Sequence, residues 1–270
     1  MSENYSVLKD IPYGEHERQV FDLFIPQNIE SETGVILFVH GGGWSDGDKT
    51  IHYPEAEFLS SLGYICATMN YRFVTENINV FSELDDISFC LNAIKAKCEE
   101  CGLKTKNTIL SGGSAGAHLS LLYAYARKNI SPVTPVAVCV YCPPVNCWAK
   151  DFLMGIKGEF EEWKYSILSK CCGVEITKET LLDEPQQNAL KKMSPQSYVS
   201  KDCVPTAVFQ GVLDDLVPFE YSKVFIESLK KSGVKNDFLI YENSGHALDK
   251  DSEKTEEAKN IILRYAKIYF

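Results

Sequence analysis

Ser114 stands in Gly112-Gly113-Ser114-Ala115-Gly116, a G-x-S-x-G pattern. A serine hydroxyl becomes a useful nucleophile only when it is exposed and a neighbouring base takes its proton. The pattern provides the exposure. An apolar strand, Thr108 to Ser111, would turn sharply into a helix, with glycines where a Cβ would collide with the turn. Leu119, Leu121, Leu122 and Ala126 follow with the apolar spacing of a buried helix. A serine that only caps a helix is the alternative, and the strand before and helix after it weigh against that.

A second candidate is His40-Gly41-Gly42-Gly43-Trp44, directly after the apolar run Val35 to Val39. Acyl transfer builds negative charge on a carbonyl oxygen, and fixed backbone N–H groups stabilise it best. Three glycines let the backbone come close to that oxygen. A phosphate loop is the rival: Gly42 and Gly47 have its spacing, but Asp48 stands where lysine is required. A dinucleotide turn fails because Asp46 occupies the third glycine. The loop reads as an oxyanion hole, with His40 orienting it.

The base must come from five histidines. His246, in Ser244-Gly245-His246-Ala247, follows the last expected strand on a small-residue loop that can bring it to a sheet edge. His16 and His52 are expected in solvated polar segments. His118, four residues past Ser114, would point below the turn and serve packing. A carboxylate must hold the imidazole in one tautomer. Asp214 and Asp215 both lie in the loop Gln210 to Pro218, and adjacency does not separate them. The order Ser, Asp, His is that of an α/β-hydrolase.

These residues need a scaffold that brings distant loops together. Short β-branched runs recur at Val35–Val39, Tyr64–Met69, Thr108–Leu110, Val136–Tyr141, Thr206–Phe209 and Phe238–Tyr241. Helices are expected between them: Pro54 to Leu62; a long one capped at Ser82 with Asp85 and ending at Gly102; Ala115 to Lys128; Phe219 to Lys231; and Thr255 onward. Repeated β–α alternation predicts a mostly parallel sheet with helices on both faces. From Pro143 to Val204 the rhythm breaks in an aromatic-rich stretch with Trp148, Met154, Phe160 and Trp163. Insertions that long in compact domains form lids or binding loops, so residues 143–204 are expected to cap the carboxyl edge of the sheet. A single domain over 1–270 is the simpler count.

Composition narrows the class. With 270 residues, 45% hydrophobic and 24% charged, the chain matches a soluble globular protein rather than a disordered or fibrous one. A net charge of −10 argues against nucleic acid or an anionic membrane surface as partner. There is no basic n-region followed by an apolar run, and no apolar stretch of membrane-spanning length. Ten cysteines without an export signal fit a reducing cytoplasm. The Cys98/Cys101 and Cys139/Cys142 pairs stand much farther apart than the roughly 15–20 residues of a zinc ribbon, so apolar packing is expected and no metal.

Together, His40–Trp44, Asn70-Tyr71-Arg72, Gly112–Leu119, Met193-Ser194-Pro195, Gly211–Pro218 and Gly245-His246 resemble the α/β-hydrolase superfamily. Within it the chain is similar to hormone-sensitive-lipase-like carboxylesterases and to acetyl-xylan-esterase-like and kynurenine-formamidase-like proteins. The likeness runs in order from Tyr13-Gly14 to His246. It implies an eight-stranded sheet with one antiparallel strand near the N-terminus. It also implies Ser114 as nucleophile, His246 as base, Asp214 as orienting acid and the N–H groups of Gly42, Gly43 and Ala115 as oxyanion donors. Asp86 matches a structural position. Two departures are Gln210, where relatives carry histidine, and Phe73-Val74-Thr75, where lipase-like relatives continue Leu-Ala-Pro.

The expected function is a serine hydrolase that cleaves small carboxylic esters through an acyl-enzyme, without a cofactor. Short-acyl or acetylated substrates are expected because Trp44, Trp148 and Trp163 would narrow the pocket. An arylformamidase is the second reading. A non-catalytic binding protein on the same fold is the third, and it would usually have lost one of the three residues.

Overall fold

The computed structural model describes residues 4–149, 152 and 161–270. Eight strands form one sheet: β1 (Tyr5–Pro12), β2 (Val20–Pro26), β3 (Glu32–Val39), β4 (Ile65–Met69), β5 (Lys104–Gly113), β6 (Thr134–Tyr141), β7 (Thr206–Gly211) and β8 (Asn236–Tyr241). Their order is β1-β2-β4-β3-β5-β6-β7-β8. β2 pairs antiparallel with both β1 and β4, and all other pairs are parallel. β2 is therefore the one strand running against the rest.

The described residues form seven helices: α1 (Tyr53–Ser61), α2 (Val80–Glu100), α3 (Ala115–Ala126), α4 (Glu161–Cys172), α5 (Glu184–Met193), α6 (Phe219–Lys231) and α7 (Ser252–Tyr269). The continuous apolar run of β3 follows from this covering. Val35, Leu37 and Val39 pack with α2, α3 and α6, while Ile36 and Phe38 face α1 and α7. Side chains alternate across a strand, so a strand buried on both faces is apolar at every position. α2 begins earlier than the sequence suggests. Asn79 is its cap, accepting from the N–H groups of Phe81 and Ser82, while Ser82 Oγ accepts from Asn79 N–H. The Ser82 hydroxyl is the returning half of a capping box rather than its start.

Asp86 on α2 is fully buried and holds the chain that leaves β4. Its carboxylate accepts from the Arg72 backbone and guanidinium and from Gln19 Nε2 at 2.7–3.0 Å. Residues 143–204 contain α4, α5 and the 3-10 turn Pro195–Tyr198. Met154 and Phe160 lie outside the described residues. No described helix is long and apolar enough to cross a membrane.

The parallel register aligns Val39 with Gly112, Gly113 with Tyr141, Tyr141 with Phe209 and Gly211 with Tyr241. The loops that leave the carboxyl ends of β3, β5, β6, β7 and β8 are thus brought to one edge. At β5 the approach is closest: a Cβ on Gly116 would run into the backbone carbonyls of Val39 and His40. Backbone cannot step aside as a flexible side chain can. Gly116→Ala should lower stability by about 3 kcal/mol, or Tm by roughly 6–12 °C, and thermal unfolding against wild type measures it.

Candidate active site

Ser114 sits at the turn from β5 into α3 with φ 53° and ψ −119°. A non-glycine residue in that region is strained and persists only where its surroundings fix it. Here the Ser114 N–H donates to the carbonyl of Tyr141 at 2.8 Å, which pins the turn to the end of β6. Ser114 Oγ lies 2.9 Å from His246 Nε2, and His246 Nδ1 lies 2.8 Å from Asp214 Oδ2. The three residues that the sequence singles out meet in one chain of hydrogen bonds, across 132 and 32 positions.

Asp214 rather than Asp215 makes the contact. Its side chain is fully buried, and Oδ1 accepts from the N–H groups of Leu216 and Val217 at 3.0 and 2.8 Å. Oδ2 accepts from Gln210 Nε2 at 2.8 Å beside the imidazole. Asp215 is exposed. Gln210 thus has a defined task at the position where relatives carry histidine: its amide holds the carboxylate and its carbonyl accepts from Ser222 Oγ at 2.8 Å. The loop bearing His246 is fixed from two sides. Leu213 N–H donates to Ser244 O, and Ser244 Oγ donates to Asp251 Oδ2 at 2.6 Å.

The glycine loop after β3 passes beside this array. Gly42 (φ 119°), Gly43 (φ 57°) and Trp44 (φ 59°) are all left-handed, a path that glycine takes freely. Arg18, which the sequence alone did not single out, holds the loop. Its guanidinium donates to Gly47 O, Tyr71 O and His40 Nε2 and stacks on Phe73 at 3.6 Å. His40 Nδ1 donates in turn to Gly41 O at 2.6 Å, and the ring stacks on Tyr71. Burial drives the His40 imidazole down to about 4, so it stays neutral near pH 7 and keeps the lone pair that Arg18 uses.

Trp44 is nearly fully buried, and its indole N–H donates to His118 Nδ1 at 3.1 Å. His118 Nε2 donates to Met193 O at 2.7 Å. Burial likewise holds His118 down to about 4, matching a neutral ring with one donor and one acceptor. The glycine loop, α3 and the last residue of α5 are tied by this buried pair. The structural role expected of His118 is the one it takes.

Two cavities open at Ser114. One, of about 300 Å³, is walled by Trp44, Pro144, Trp163, Leu216 and Val217 beside Gly42 and Gly43. The other, of about 360 Å³, runs past Tyr141 and Tyr241 to His52, Glu55 and Lys259. Trp163 reaches over Gly43 from α4. Trp148 lines neither cavity; it is half-buried against the main core, so only two of the three tryptophans named from the sequence face Ser114. His52 also departs from expectation. It is 6% exposed and stacked on Phe38, because the 3-10 turn Lys49–His52 folds it under α1 instead of leaving it in solvent.

All ten cysteines are free. Among the described residues, one group offers three side-chain atoms suited to a metal: Cys142, Asp214 and His246, within 4.8 Å of one another. Asp214 and His246 are already bonded together, and burial beside Asp214 pushes the Cys142 thiol up, keeping it protonated. The geometry fits a thiol packed against the carboxylate.

The BD-FAE family model matches residues 21–229. The chain is 22% identical over 243 residues to esterase LipC of Mycobacterium tuberculosis, covering 88% of this chain and 59% of that protein. It is 25% identical over 267 residues to a probable isoprenylcysteine alpha-carbonyl methylesterase of Oryza sativa, covering 89% and 58%. The chain thus spans under two thirds of the length of these relatives. Among solved structures, a truncated carbohydrate esterase from gut microbiota shares the fold with TM-score 0.79 at 15% identity, covering 99% of both chains. Esterase B from Lactobacillus rhamnosis superposes with TM-score 0.76 at 19% identity, covering 99% of this chain and 86% of that one. With an eight-stranded hydrolase sheet and a family match over most of its length, the chain belongs to the BD-FAE family of the α/β-hydrolase superfamily.

Proposed function

We propose that the protein is a serine esterase that cleaves small carboxylic esters through an acyl-enzyme. The observation that carries this reading is the unbroken hydrogen-bond chain from Ser114 Oγ through His246 to buried Asp214. In the forward step His246 Nε2 takes the Ser114 proton while Oγ attacks the ester carbonyl. The N–H groups of Gly42, Gly43 and Ala115 donate to the resulting oxyanion; that of Ala115 is the first of α3 and has no acceptor within the helix. The imidazolium, stabilised by Asp214, gives its proton to the departing alcohol. Water, activated by the same imidazole, then releases the acid. No step calls for a cofactor or metal.

The apolar cavity suits the acyl half. Trp44 is locked by His118, and Trp163 covers Gly43, so the room beyond the oxyanion loop is bounded by rigid indole. With residues 143–204 as a cap, the site takes acetyl to butyryl groups, and a longer chain meets the wall.

Four measurements test the reading. Ser114→Ala and His246→Ala should each lower kcat by about 10⁴–10⁶ with unchanged thermal unfolding, and activity retained in Ser114→Ala would end it. Asp214→Asn should cost about 10⁴ in kcat because the wrong tautomer is then held, whereas exposed Asp215→Asn should stay within about twofold. Across p-nitrophenyl esters from acetate to decanoate, kcat/KM should fall beyond butyrate by roughly tenfold or more per misplaced pair of methylenes. A maximum at octanoate would refute the short-acyl claim, and faster turnover of N-formylkynurenine than of any ester would make the protein an arylformamidase.

A further inference from the structure

Arg18 is bound in an uncommon way for a half-buried cation. Among the described residues its guanidinium donates to neutral acceptors alone: Tyr71 O at 2.9 Å, Gly47 O at 3.0 Å and His40 Nε2 at 3.1 Å. Its flat face lies on the Phe73 ring. Asp46 and Asp48 act on it only from a distance, without a hydrogen bond. A cation drawn out of water for packing alone is normally paired with an acid.

The charge is instead passed along one line of hydrogen bonds. His40 accepts from Arg18 at Nε2 and donates from Nδ1 to Gly41 O at 2.6 Å. A guanidinium can only donate, so the neutral ring must accept on that side and carry its proton on the other. The Gly41 carbonyl and the Gly42 N–H belong to one peptide unit. That unit is planar and trans, so a donor on its oxygen leaves the N–H pointing the opposite way. Gly42 lines both cavities at Ser114, and its N–H meets no acceptor among the described residues. Gly47 keeps the line open, since a Cβ there would come within 2.3 Å of Gly41 O and 2.6 Å of His40 Nδ1.

We infer that Arg18 is a positioning residue of the proposed reaction: through the His40 ring and the Gly41 peptide, its charge strengthens the Gly42 N–H as a donor to the oxyanion. The inference rests on the esterase reading and deepens it. Hydrogen bonds in a chain polarise one another, and more so where water is excluded. His40 is fully buried, so solvent does not screen the link. A neutral ester carbonyl gains little from a stronger donor, whereas the oxyanion gains much. The effect therefore falls on the chemical step and not on binding. Holding the loop in place needs no charge, because a neutral donor of the same shape would do it equally well.

The experiment removes the guanidinium and returns it from solution. Arg18→Ala should lower kcat for p-nitrophenyl acetate by about tenfold, with KM within about twofold of wild type. An alkyl trifluoromethyl ketone provides the second readout. Ser114 Oγ bonds to its carbonyl carbon, the carbonyl oxygen becomes an oxyanion, and His246 takes the serine proton. Its affinity should fall by the same factor as kcat. Ethylguanidinium added to Arg18→Ala should restore kcat, while N-ethylurea, neutral and of the same shape, should not. If neither compound restores activity, Arg18→Lys should keep kcat above that of Arg18→Gln. Rescue by N-ethylurea as good as by ethylguanidinium, a glutamine as active as the lysine, a loss confined to KM, or unchanged ketone affinity would overturn the inference. Absence of hydrolysis of every ester by wild type would instead fail the esterase reading itself.

Discussion

β5 meets β3 at a distance that only hydrogen atoms on Cα allow. Gly112 and Gly116 both face the carbonyl of Val39, and Gly116 faces that of His40 as well. This contact sets two things at once. It carries the chain through the strained conformation at Ser114, and it places the glycine loop that begins at His40 against the same turn. Moving either by the width of a methyl group would part the Ser114 hydroxyl from the glycine loop. Much of the rest of the site supports this junction: Tyr141 receives the Ser114 N–H from β6, and Arg18, in the loop between β1 and β2, clamps the glycine loop.

The imidazoles around the junction are sorted by burial. His40 and His118 are enclosed and held neutral, each with one ring nitrogen donating and the other accepting. Neither can leave its bonds to take a proton from a hydroxyl without losing buried partners. His246 is partly exposed, with Nε2 on Ser114 and Nδ1 on a carboxylate. Three histidines within one small region therefore carry two structural roles and one position suited to proton transfer, and the difference lies in what surrounds each ring.

Local signals in the sequence were enough for β3 to β8, for α1, α2, α3, α6 and α7 and for part of the site, but not for β1, β2, α4 or α5. Ser114 is visible because strand, glycines and helix adjoin it, and the run Phe219 to Lys231 is helical as its apolar spacing and the following Gly233 indicate. What is not local is harder to read. Arg18 precedes the sheet proper, and its partners Gly47 and Tyr71 lie 29 and 53 positions away, so no nearby pattern announces it. Asp214 and Asp215 are equal as sequence; only the loop's curl, which turns one into the backbone N–H groups of Leu216 and Val217, separates them. Ser82 shows the same limit at small scale, since a serine can give either half of a capping box.

His52 has the further consequence. A histidine in a polar stretch, Asp48 to Tyr53, looks solvated, yet Asp48 and Asn70 fold that stretch into a 3-10 turn that tucks the ring onto Phe38. Phe38 belongs to β3, whose last residues lead into the glycine loop. The same strand thus sets the glycine loop from its end and the seat of His52 from its α1 face. The two are kept apart by the pleat of β3, in which Phe38 and Val39 point to opposite faces.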